Sequence, residues 1–74
     1  MARRLVESEV SGTVTRVACS EGAHVARDDP IVVVELMKME IPVTAPEDGT
    51  VVELRVAEGD VVAENQPVAV LETA

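Results

Sequence analysis

Sliding the chain along itself by 37 residues superposes Gly12-Thr13-Val14 on Gly49-Thr50-Val51 without a gap. The match continues as Glu21-Gly22 falls on Glu58-Gly59, Val25-Ala26 on Val62-Ala63, Pro30 on Pro67, Val33 on Val70 and Glu35 on Glu72. Apolar character persists where identity is lost, as in Val17 with Leu54, Ile31 with Val68 and Val34 with Leu71. An internal repeat is the first thing to seek in a chain, because it dictates architecture before any local propensity does. The 74 residues are two copies of 37, and Lys38 opens the second. If a pseudo-twofold axis relates the copies, the link at Met37-Lys38 is equivalent to the gap between the termini. The link then lies at one end of the body, with Met1 and Ala74 together at the other.

Each copy reads as four short strands separated by turn residues. In the first, the strands are expected at Arg4 to Glu9, Thr13 to Ala18, Val25-Ala26 and Ile31 to Leu36. In the second they are expected at Met39 to Thr44, Thr50 to Val56, Val61-Val62 and Val68 to Leu71. Gly22 and Asn65 are the candidates for positive φ in the turns. Pro42 lacks an amide hydrogen and belongs on an edge strand or with its nitrogen facing water. The chain has no Phe, Tyr or Trp, so its core falls to β-branched and leucine side chains, which suit a half-buried pleated surface. At this size only about 60% of the unfolded surface is buried. One all-β domain over residues 1–74 follows, a flattened barrel-sandwich of two four-stranded antiparallel sheets with internal pseudo-twofold symmetry.

The stretch Glu35-Leu36-Met37-Lys38-Met39-Glu40 is rich in helix formers, yet it sits between two strand-like runs and is too short for a helix. A tight β-turn carrying Met37 and Lys38 is the consistent reading. The favoured two-residue hairpin turn needs positive φ at both central residues, which Asn-Gly satisfies far better than Met-Lys. A sequence that breaks a local rule at one site marks a functional candidate there.

Glu-Leu-Met-Lys-Met-Glu resembles the Glu-Ala-Met-Lys-Met signature of biotinyl domains, the carboxyl-carrier modules of biotin-dependent carboxylases. The duplicated Gly-Thr-Val and Glu-Gly elements resemble the same family, so the likeness covers essentially the whole chain. Two departures stand out: Leu36 where alanine is usual, and Val10-Ser11 before Gly12 where a Met-Pro pair is common. The resemblance implies covalent biotin on Lys38, Met37 and Met39 as flanking recognition residues, and Glu35 in a possible part in ligase recognition. It also implies a non-catalytic carrier loaded by biotin protein ligase and serving a biotin carboxylase and a carboxyltransferase. Lipoyl domains share the duplicated fold but carry Asp-Lys-Ala at the tip, so a lipoyl-type acyl carrier is the first alternative. A non-carrier interaction module is the second.

The formal charge of −8 argues against a nucleic-acid or anionic-membrane surface, which needs clustered Lys and Arg. The lone Cys19 makes no internal disulfide, the basic start Met-Ala-Arg-Arg is not followed by an apolar stretch of signal length, and no run is long enough to cross a bilayer. A cytoplasmic protein, monomeric in isolation, is expected. The initial methionine and the lack of an Ala/Pro-rich tail favour a small stand-alone protein. His24 has no second histidine or cysteine at ligand spacing, Cys19 reads as a small half-buried side chain, and Glu40 as solvated.

Overall fold

A computed structural model describes residues 2–73. The strands are β1 (Ala2–Glu7), β2 (Gly12–Val17), β3 (His24–Val25), β4 (Pro30–Leu36), β5 (Met39–Thr44), β6 (Gly49–Leu54), β7 (Val61–Val62) and β8 (Pro67–Thr73). Each strand of the first copy reappears 37 residues later with identical length. The described residues contain no helix, and so none long and apolar enough to cross a membrane.

The two sheets run β1-β8-β6-β3 and β5-β4-β2-β7. Exchanging the copies turns one order into the other, which is the topological statement of a pseudo-twofold. Every sheet therefore takes two strands from each copy. Turn hydrogen bonds obey the same exchange: Val14 N donates to Asp60 O at 2.8 Å, and Val51 N to Ala23 O at 2.9 Å. The body is elongated, 36 × 18 × 18 Å. The axis carries the last ladder pair of the β4-β5 hairpin, Leu36 with Met39, onto the pair Thr73 with Ala2 between β8 and β1. Met1 and Ala74, expected side by side, lie outside the described residues, and their neighbours Ala2 and Thr73 are directly opposite each other.

Burial explains the valine-rich runs. Ile31, Val32, Val33 and Val34 are buried in succession, as are Val68 to Leu71, where simple alternation allows only every second residue. A register irregularity between Pro30 and Val32, repeated between Pro67 and Ala69, puts an extra residue in each strand. Such a bulge resets the alternation, so Ile31 and Val32 both join the core cluster, as do Val68 and Ala69, while Val33 and Val70 are buried outside it. The core is one cluster drawing on both copies, including Val6, Val14, Ile31, Val34, Val43, Val51, Val68 and Leu71.

The first and sixth strands end earlier than the residue pattern predicts, at Glu7 rather than Glu9 and at Leu54 rather than Val56. Ser8 is fully buried, but its backbone has left the ladder: Ser8 N donates to Gln66 O and Ser8 O accepts from Asn65 N. Val56 is likewise buried but stands beyond the last ladder pair, Leu54 with Ala69. In both places the apolar or small side chain marks the core, not the strand. Pro42 lies on β5, the edge of its sheet, as its missing N–H requires.

Candidate functional site

The β4-β5 hairpin is closed by two residues. Leu36 pairs with Met39, leaving Met37 and Lys38 as the turn, with φ of 53° and 63°. Positive φ at both central positions is the primed-turn geometry whose twist matches that of the flanking strands. Left-handed backbone also occurs at Asp28 and Asn65 and at Gly22 and Gly59, two pairs of repeat mates. Met37 and Lys38 stand at the joint between copies, and their repeat mates, Ala74 and Met1, lie outside the described residues.

The turn holds its side chains out. Met37 is 86% and Met39 64% exposed, Lys38 is exposed, and Leu36 is half-buried beneath them. Among the described residues Lys38 enters no ion pair; the bridges are Arg3–Glu72 at 3.5 Å, Arg4–Glu47, and Arg55–Glu53 at 2.7 Å. A primary amine thus stands clear of the body between two thioethers.

One ladder step below, Glu35 and Glu40 face each other across the hairpin, both exposed. Like charges directly opposite on antiparallel strands are destabilising. Thr15 offers a partial remedy: its hydroxyl is 3.3 Å from the Val33 carbonyl and 3.4 Å from Glu40 Oε1. The repeat mate of Glu35 has a different environment, since Glu72 pairs with Arg3. Glu40 is exposed as expected; its apposition to Glu35 was not anticipated. The signal was present, because a two-residue turn at 37–38 sets residues equally distant from it opposite each other.

The other residues singled out from sequence lie outside this tip. His24 is exposed on β3, its Nδ1 3.5 Å from the Thr50 hydroxyl. Cys19 is half-buried against the core, its Sγ 3.8 Å from the Ile31 carbonyl, and burial pushes its thiol pKa up. Two surface depressions are lined by β1 with the loop after it, and by β1 with the outer face of β6 and β8. Neither reaches Met37 or Lys38. What the tip can do chemically is present one nucleophilic amine, with apolar flanks, to an active site on another molecule.

A family profile described as "Biotin-requiring enzyme", covering biotin and lipoyl domains, matches residues 4–71. The chain is 51% identical over 43 residues to a biotin-dependent acyl-coenzyme A carboxylase alpha3 subunit of Mycobacterium leprae, a match covering 58% of this chain and 7% of that one. It is 45% identical over 40 residues to a biotinylated protein TB7.3 homolog of the same organism, covering 54% of this chain and 56% of the relative. Among solved structures, a single-chain, multi-domain long-chain acyl-CoA carboxylase superposes with a TM-score of 0.88 at 33% identity, covering 96% of this chain and 7% of that chain. Urea carboxylase from Kluyveromyces lactis superposes with a TM-score of 0.91 at 30% identity, covering 97% of this chain and 6% of that chain. The chain therefore spans a small part of the carboxylases it matches and about half of the small biotinylated relative.

Proposed function

The chain belongs to the biotin/lipoyl family, and from that membership we propose that it is a biotin carboxyl carrier module with Lys38 as the attachment residue. The observation that carries the reading is the turn itself: a lone exposed lysine held at left-handed φ between exposed Met37 and Met39, where the stable choice of residues is Asn-Gly. The residues fit the group. An open amine on a two-residue turn leaves room for an acyl chain to approach.

An ordinary lysine amine is almost wholly protonated at neutral pH, so loading needs a ligase that supplies an activated acyl group and takes the amine proton. The amine nitrogen forms the amide bond as the activating group departs. The chain's part is positional: the rigid two-sheet body presents Lys38 at a fixed place on every encounter. Met37, Met39 and Glu35 lie close enough to meet the ligase together with it. Biotin, when bound, supplies an acceptor that takes up and gives back a carboxyl group.

Partners on this reading are biotin protein ligase, a biotin carboxylase and a carboxyltransferase, and the module itself is non-catalytic. Tethering raises the effective concentration of the carried group at both enzymes, provided the arm spans them. The single half-buried cysteine suits a reducing cytoplasm, and a monomer in isolation is sufficient for carriage.

Coexpression with a biotin ligase followed by intact-mass measurement tests this. The expected result is one biotin-sized increment, absent in Lys38→Ala. A lipoyl-sized increment assigns the chain to the other branch of the family, and an increment that survives Lys38→Ala rejects Lys38 as the site.

A further inference from the structure

The apolar groups at the tip have a chemistry that carriage does not use. Methionine is among the residue types most often buried, yet Met37 and Met39 are 86% and 64% exposed on either side of Lys38. Thioethers in the open are oxidised to sulfoxides, which turns a flexible apolar side chain into a polar one. We propose that Met37 and Met39 are a peroxide-responsive modification site, and that their conversion to sulfoxides closes the tip to the ligase that acylates Lys38. This rests on the carrier reading above.

The step balances with hydrogen peroxide as oxidant. A sulfur lone pair attacks one peroxide oxygen, the O–O bond breaks, and an S–O bond forms. Sulfur is oxidised by two electrons, and the second oxygen leaves as water with both hydrogens. Return to the thioether consumes two thiols, which become a disulfide as the oxygen departs as water. Sulfoxide reductases perform that reversal.

Geometry directs the oxidant to the tip. The turn has only two residues and is closed by the Leu36–Met39 pair, so Met37 has no slack with which to fold back onto the body. The remaining described sulfur is Cys19, half-buried and packed against the core, where access is limited and burial pushes the thiol pKa up, away from the thiolate that peroxides attack fastest. The consequence falls on the surface a ligase must cover. A sulfoxide oxygen is hydrated, and covering it without a hydrogen-bond partner carries a penalty large enough for about a tenfold loss in rate.

The test treats the purified chain with dilute hydrogen peroxide, locates added oxygen by peptide mapping, and follows biotin transfer by a purified ligase. Met37 and Met39 are expected to gain one oxygen each before Cys19 reacts. Loading then slows by about tenfold and recovers after methionine sulfoxide reductase. The double variant Met37→Leu/Met39→Leu, which keeps Met1 and Cys19, is read as the ratio of its treated to its own untreated rate, and that ratio stays near one. Equal loading of the oxidised and untreated chains overturns the proposal while leaving the carrier reading intact. So does slowing that persists in the double variant or survives the reductase, or oxidation of Cys19 first. An untreated chain that accepts no biotin removes the carrier reading and this inference with it.

Discussion

Gly12 and Gly49 show how single residues hold the copies together. A Cβ at Gly12 would collide with the carbonyl oxygen of Glu35 and stand 2.8 Å from Val34 Cγ1; at Gly49 it would stand 2.5 Å from the Glu72 carbonyl oxygen and 3.0 Å from Leu71 Cγ. Glu35 and Glu72 are repeat mates, so the close approach is itself duplicated. Backbone cannot yield as a side-chain tip can, and overpacking of this kind costs about 1–3 kcal/mol. Gly12→Ala is therefore expected to lower unfolding free energy by about 3 kcal/mol in urea melts, the upper end of that range. Gly22→Ala, at a φ of 89° with nothing within 4 Å of its Cβ, is expected to lose only about 1 kcal/mol, the left-handed penalty. Equal losses would show that the close approach is not what requires glycine at Gly12. The repeated Gly-Thr-Val was legible as a repeat and as a corner. Its reason was not, because the obstructing carbonyl lies 23 residues away in the chain.

At the level of the element, the β4-β5 hairpin departs twice from its most stable form. Met37 and Lys38 occupy left-handed backbone, and Glu35 faces Glu40. Both departures lie within two residues of the turn, and strain gathered at one place is characteristic of functional sites. Replacing the turn by Met37→Asn with Lys38→Gly keeps the hairpin length and supplies residues that accept positive φ. The expected outcome is a gain of about 2 kcal/mol in stability, at roughly 1 kcal/mol for each relieved residue, together with complete loss of biotin loading. An unchanged or lowered denaturation midpoint would mean that the turn stores no strain. The position and length of this turn were readable from the residues, because a helix does not fit between two valine-rich runs. The Glu35–Glu40 apposition needed the ladder register, and the bulges at Ile31 and Val68 needed the facing strand.

For the whole molecule the governing fact is interleaving. Neither copy owns a sheet, since β1 and β3 of the first join β6 and β8 of the second, and β2 and β4 join β5 and β7. The repeat looks divisible in sequence and is indivisible in space. Residues 1–37 alone would leave the edges of β2 and β4 unpaired and the inner valines uncovered, and a few isolated strands are marginal in water. A peptide of residues 1–37 is expected to show no β-sheet circular dichroism and no cooperative melt. A folded half would overturn the interleaved topology. What the chain determined by itself was whatever is written along it: the two copies, the short strands, the turn at Met37-Lys38 and the single lysine there. Which strand lies beside which, the carbonyl against Gly12 and the facing glutamates were decided only by tertiary structure. They are contacts between distant residues, selected by burying both copies' valines at once, and no local stretch contains that information.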